Sequence, residues 1–510
     1  MKYTSIKKWT LGLLSSIIAT SIISCYGVKS QIKQHMGGNT EIIDSSIFNP
    51  KQYSLAITNV SILSPDCTKM LDSLTVLIKN GIILNITKES TITNEYKMID
   101  GTGQYLIPGL IDSHTHLQKS KNDLLLFIAN GITHIANHNS ESDNSLIKWR
   151  KEAEEGALSP RIYIAAGGMS TKKGLLQKIR TLFGDSKKYN TPTQARKAVK
   201  KFKNQGYDAI KSYHPSKEVY FALTDEAKKQ NIPVIGHLSP DINFEDLYSS
   251  GQSQLAHIEE ITKSTIRDFG GLDDSNTKEY LTYLKKNSDQ IAIQLKKSDI
   301  VVSSTIWLME SIPKQNFDTK GFLKTIELAY QNPGQIEGSK LAKGWLPGNN
   351  RYENMEIKND LEQIKKSKLF WKTYVEAIHI MTKALVKNSV TITAGTDSNC
   401  AGVVAGFSLH DELESLNKSG LTNSQVLYTA TVAPAEWMQN GGGKIEVGHK
   451  ADLVLLKKNP LKDIKNTKTI NAVITNGKFL DRTVLNKILQ SIKDANNRSR
   501  KINIDEFINN

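Results

Sequence analysis

Cysteine is scarce. The 510 residues hold three, Cys25, Cys67 and Cys400, and no Cys-x-x-Cys pair. A thiolate zinc site is therefore not expected. Cys67 and Cys400 could pair only if the fold brought them together, and both are expected free and buried. Repeats of solenoid type are absent. The positive charge, +15 in all, is dispersed, and no RNA- or DNA-binding signature stands beside it, so no nucleic-acid partner is expected. It reads as a solvated, lysine-rich surface. With 39% hydrophobic and 23% charged residues, wholesale disorder is excluded and a large core is within reach.

Acid is also missing from the first 24 residues, which carry Lys2, Lys7 and Lys8. The apolar run Leu11 to Ile23 is too short to span a bilayer well and has the length of a signal h-region. It ends in Ile22-Ile23-Ser24-Cys25, which resembles a bacterial lipobox. That resemblance implies a lipoprotein signal peptide over 1–25, with Cys25 lipidated as the first mature residue. The chain would then be exported and lipid-anchored to a bacterial membrane, on its periplasmic or cell-surface side. Residues 26–50 are polar and aperiodic and read as a tether.

Short strand signals flank a long α/β middle. Tyr53 to Val60 reads as a strand, and Leu74 to Ile78 with Ile82 to Thr87 as a hairpin around Asn80-Gly81. Ala451 to Leu456 and Thr469 to Ile474 repeat the texture. Residues 51–107 and 441–482 are therefore expected to form one small β-sandwich domain from both chain ends. Between them, over 108–440, apolar strand-like runs alternate with amphipathic helices, the sign of a parallel (β/α)₈ (TIM) barrel. The segment from Ser311 to about Leu369 lacks strand periodicity and is expected to be an excursion over one end of the barrel. Residues 483–510 read as a basic helical tail.

The sharpest chemical signal is Leu106-Ile-Pro-Gly-Leu-Ile-Asp-Ser-His114-Thr-His116. A strand repeats every two residues, so both imidazoles point the same way. In a barrel that is inward, at the mouth where active sites sit. Two convergent imidazoles suit a borderline divalent metal such as Zn²⁺. His237, His257 and Asp397 also close apolar strand-like runs. Each alone would more often be a satisfied core residue, but four such sites in order fit a metal-assisted hydrolase with a position left open for water. Glu259 and Glu260 follow His257 and either assist it or open a solvated helix. His138 follows the second strand and either faces the mouth or, the preferred reading, sits in a loop; His410 and His449 read as structural.

Together with Ile210-Lys-Ser-Tyr213 and Gly443-Lys-Ile-Glu-Val-Gly-His-Lys-Ala-Asp-Leu-Val-Leu455, these motifs resemble the amidohydrolase superfamily, nearest its imidazolonepropionase-related and Xaa-Pro dipeptidase-like branches. The resemblance runs from about Leu55 to Leu480. It implies that His114 and His116 bind a buried metal, that His237 and His257 bind a second, and that Asp397 coordinates and acts as general base and acid. It also implies that a carboxylated Lys211 bridges the two metals if the site is binuclear; one or two ions per chain remain open. Tyr213 and His214 become candidates for holding substrate.

The reaction implied is hydrolysis of a carbon–nitrogen bond in a small amide or dipeptide, with hydroxide made available near neutral pH by the metal. The alternatives are a mononuclear cyclic-amide hydrolase or deaminase, and a non-catalytic ligand-binding lipoprotein. Association into a homo-oligomer is compatible with either reading. The chain departs from many relatives at Leu117-Gln-Lys-Ser-Lys-Asn, where they carry an aromatic- or Arg-rich segment. That loosens the substrate assignment and leaves the metal site intact.

Overall fold

A computed structural model describes residues 27–88, 94–138, 145–171, 189–354 and 360–508. Cys25 and the whole 1–25 segment lie outside the described residues. No described helix is long and apolar enough to cross a membrane.

The first five strands are β1 (Leu55–Leu63), β2 (Met70–Lys79), β3 (Ile82–Thr87), β4 (Lys97–Asp100) and β5 (Tyr105–Pro108). Eight parallel strands follow: β6 (Leu110–Thr115), β7 (Ile132–Asn137), β8 (Arg161–Ser170), β9 (Ala209–His214), β10 (Val234–Gly236), β11 (Gln254–Leu255), β12 (Val301–Ser303) and β13 (Ile392–Thr393). The last three are β14 (Leu453–Leu456), β15 (Ile470–Thr475) and β16 (Lys478–Asp481). The two ends of the chain meet where β5 and β14 pair antiparallel, Leu453 opposite Pro108 and Leu455 opposite Leu106. The resulting antiparallel-dominated sheet runs β16-β15-β14-β5-β1-β2-β3, with β4 beside β1. Its own core includes Leu55, Ile57, Val76, Leu106, Leu453 and Ile474. This is the small β domain expected from the two flanking blocks.

The middle strands stand in the order β6 to β13, each parallel to the next. The ring closes as Ser113 N donates to the Ala394 carbonyl at 2.9 Å. Helices wrap the outside and bury one face each. The helix Pro192–Asn204, for example, starts on a Thr191 capping box and buries Ala195, Ala198, Val199 and Phe202. The barrel strands are short and apolar because both faces are covered. The excursion after β12 is helical as far as Leu323 and has no strand among its described residues.

One expectation changes. The segment read as a tether is helical over 27–35 and then lies along the barrel. Lys119 N donates to the Met36 carbonyl at 3.0 Å. The side-chain amides of Asn332 and Asn122 bond the Gly37 carbonyl and Ile43 N, at 3.2 and 3.0 Å. Glu41 pairs with Arg498 at 2.8 Å. Its polar, aperiodic sequence misleads because the segment docks by hydrogen bonds rather than by an apolar face. The expected helical tail is present as Arg482–Ser499. It buries Leu485, Ile488, Ile492 and Ala495, and Asn496 Nδ2 donates to the Tyr330 carbonyl at 2.9 Å. It is part of the barrel's outer layer.

Candidate active site

All the sequence-predicted groups sit at the ends of barrel strands, on one mouth. His114 lies in β6 and His116 just beyond it. His116 Nε2 is 2.9 Å from Asp397 Oδ1, and His114 Nε2 is 3.6 Å from it. One nitrogen from each histidine and one oxygen of Asp397 fall within 4.8 Å of one another, so these three could hold a metal ion. The His257 ring is centred 4.5 Å from His114 and 4.8 Å from His237.

Lys211, in β9, is 1% exposed. Its Nζ faces nitrogens rather than carboxylates: His138 Nδ1 at 3.1 Å and His114 Nε2 at 3.4 Å. Burial lowers its pKa to about 8. A lysine so placed gives up its proton more readily than a free one, and the neutral amine is the form that carboxylation consumes.

His138 is a functional-site candidate that the sequence reading set aside as a loop residue. It is fully buried and stacks on His114 with ring centres 3.8 Å apart. Its Nε2 is 3.0 Å from the Ser113 carbonyl, which accepts only, so that nitrogen carries the proton and Nδ1 offers a lone pair to Lys211. The signal available in the sequence was its position just past an apolar strand, the same offset as His116.

The supporting groups are in place. His237 Nδ1 donates to Glu260 Oε1 at 3.0 Å, and Leu238 N to Glu260 Oε2 at 3.1 Å. Of the two acids after His257, Glu260 is therefore the orienting one, while Glu259 accepts from Tyr374 at 2.9 Å. Burial alone would raise the Glu260 pKa, but His237 and Lys263 hold it well below the usual carboxylate range. His257 Nδ1 is 2.8 Å from Thr305 Oγ1. Burial keeps His114, His138 and His257 far below the ordinary imidazole pKa and brings His237 to about 4. All four are neutral, as metal ligands must be. Asp397 stays ionised: burial opposes this, but His116, 2.9 Å away, and Lys211 outweigh it.

Backbone strain concentrates here. His257, Thr305 and Asp397 have φ of 68°, 53° and 59°, a region that a β-branched threonine rarely enters and that costs on the order of 1–3 kcal/mol each. Two glycines permit the close packing. A Cβ on Gly236 would stand 2.0 Å from the Ser212 carbonyl oxygen, and one on Gly395 would stand 2.7 Å from His114 Cβ.

Tyr213 and His214 end β9 on the rim, both exposed. The Tyr213 ring is centred 4.5 Å from His237 and the His214 ring 5.9 Å from it. His410 bonds Thr467 and the Asn130 carbonyl and is structural. Cys67 and Cys400 are both free; Cys67 is buried, but Cys400 is only partly so, with Sγ 3.4 Å from Asp397 Oδ2. Its exposure follows from its place in the mouth.

The sequence profile of the Amidohydrolase family matches residues 105–480. The chain belongs to that family. Within it, the chain is 24% identical over 473 residues to the 5'-deoxyadenosine deaminase of Methanobrevibacter smithii, covering 84% of this chain and 91% of that one. A putative prolidase from Bifidobacterium longum superposes with a TM-score of 0.59 at 21% identity, over 87% of this chain and all of that one. A Xaa-Pro dipeptidase with bound methionine gives 0.59 at 18%, over 84% and 100%. At such identities the structural likeness speaks to the fold. As a member of the amidohydrolase family the protein is a hydrolase acting on carbon–nitrogen bonds.

Glu260→Gln should weaken the hold on His237 without emptying the core. Divalent-metal affinity, read by chelator competition, should fall about 10–100-fold. An unchanged affinity in a folded variant would remove Glu260 from the site.

Proposed function

We propose that the protein is a metal-dependent hydrolase of small amides or dipeptides, with two divalent ions such as Zn²⁺ per chain. The observation that carries this is Lys211, buried against two imidazoles with no carboxylate in contact. His114, His116 and Asp397 would hold one ion, His237 and His257 the other, and carboxylated Lys211 would serve both. Such ions lower the pKa of water and polarise the scissile carbonyl. Asp397 takes the proton of the attacking water and passes it to the leaving nitrogen. Tyr213 and His214 stand on the rim, where they would hold the substrate's far end. The single-ion reading, a cyclic-amide hydrolase or deaminase, leaves Lys211 without a purpose.

Metal analysis of the purified protein should give about two ions per chain, and Lys211→Ala should lose one. Carboxylation consumes the neutral amine. Because the pKa of Lys211 is lowered to about 8, reconstitution at a fixed concentration of dissolved CO₂, the species the amine combines with, should quicken as pH rises towards that value and level off above it. One ion per chain, unaffected by Lys211→Ala or by bicarbonate, would establish the mononuclear reading.

Asp397→Asn keeps the shape and removes the base, because an amide cannot accept and return a proton near neutral pH. Turnover on the best substrate among dipeptides, N-acyl amino acids and lactams should drop by about 10²–10⁴. Metal content should fall only modestly, and thermal unfolding should show a folded protein. His114→Ala should lose metal and activity together. A folded, metallated Asp397→Asn protein with near wild-type turnover would show that the base lies elsewhere.

The lipobox-like ending of the h-region supports export and anchoring through Cys25. Cys25→Ala, with signal cleavage retained, should move the protein from the membrane to the soluble fraction. Continued membrane fractionation of that variant would refute the anchor.

A further inference from the structure

A second cavity, of about 550 Å³, opens at the opposite end of the barrel, between the strand starts and the β domain. His134 and Arg161 face each other across β7 and β8 at their N-terminal ends. Lys450, just before β14, and Lys478, which opens β16, come from the β domain, and Arg150 and Asp208 complete the wall. The mouth of the active site lies at the other ends of these strands: His138 follows the last residue of β7, whereas His134 is its third.

Four cations line the cavity against two carboxylates, Glu154 and Asp208. Asp208 is neutralised by Arg150 at 2.7 Å and bonded by Ile164 N. Asp452, buried beneath, is taken by Arg161 at 2.9 Å and by Asn476 N. Among the described residues, Lys450 and Lys478 have no carboxylate contact and donate only to the carbonyls of Asn440 and Gly156. Burial lowers both their pKa values, with Asp452 offsetting part of the effect on Lys450. His134 is 4% exposed, and its Nε2 has no hydrogen-bond partner. The nearest candidate, Asp452 Oδ2, is 3.9 Å away, beyond bonding distance. An unpartnered buried nitrogen near the Lys450 ammonium, with Lys478 lining the same cavity, is a donor set for an anion.

We propose that this cavity binds a small oxyanion of the phosphate or carboxylate class, held by Lys450, Lys478 and His134 Nε2. Because Lys450 and Lys478 belong to the β domain and His134 to the barrel, the anion would tie the two together. It would stabilise the fold by mass action without entering the reaction. The site does not depend on the metal reading, since none of its residues reaches the catalytic mouth.

Isothermal titration of the purified full-length protein with inorganic phosphate, and separately with citrate, tests this. At least one should bind with a Kd below about 1 mM at low salt, and the better ligand identifies the phosphoryl or the carboxylate source. The Lys450→Met/Lys478→Met double variant should lose at least about tenfold in affinity, while turnover and metal content stay at wild-type values. That retention separates this site from any anion held by the catalytic metals. If the double variant does not fold, His134→Phe carries the same test through loss of one donor. No binding of either anion, or binding equal in wild type and variants, overturns the proposal.

Discussion

One buried carboxylate holds the seam that closes the barrel. Asp112 accepts from Thr396 Oγ1 at 2.7 Å and from Thr396 N at 3.0 Å, and it also takes His114 N at 3.2 Å. Asp397 N then reaches the His114 carbonyl at 2.8 Å. The first barrel strand is thus stitched to the segment after the last, across nearly 300 residues of chain. Burial, with the Asp397 charge nearby, raises the Asp112 pKa to about 7 even against these hydrogen bonds. Every distance in the site that involves both β6 and Asp397 depends on this closure.

Around the seam the protein concentrates groups that water would normally separate. Four imidazoles and a lysine amine share one buried space, and burial keeps the imidazoles neutral. Neutral nitrogens with fixed tautomers are costly to assemble for packing alone. Glu260 and the Ser113 carbonyl fix two of the tautomers from behind, and Thr305 orients a third ring. The positive φ values at His257, Thr305 and Asp397 add strain that the surrounding closed barrel sustains. A site of this composition is preorganised for a cation, and that is the basis of the proposed chemistry.

The outer layer serves the same end less directly. Helix Arg482–Ser499 and the stretch from Met36 to Phe48 lie together against the barrel, joined by Glu41 and Arg498. Asn332 bonds both the Gly37 carbonyl and Ser120 Oγ, at 3.2 and 3.0 Å. It thereby ties the N-terminal segment to the loop that follows His116.

Much of this was legible in the sequence because its cause is local. The period of two in Ser113-His114-Thr115-His116 dictates that both imidazoles face one way. The apolar runs ending in His237, His257 and Asp397 dictate strands with a polar group at the mouth. The flanking β blocks suggest a second sheet, because both carry the same strand and hairpin signals. Tertiary structure decided the rest. Whether His138 belongs to the mouth depends on its stacking against His114, and no spacing encodes that contact. The choice of Glu260 over Glu259 depends on how the helix beginning at Ile258 is rotated against His237. The docking of 36–50 depends on amides of Asn122 and Asn332, remote in sequence, which meet its backbone only after the barrel has formed. Periodicity records the direction a side chain takes from its own element; the partner it meets is fixed by how distant elements pack.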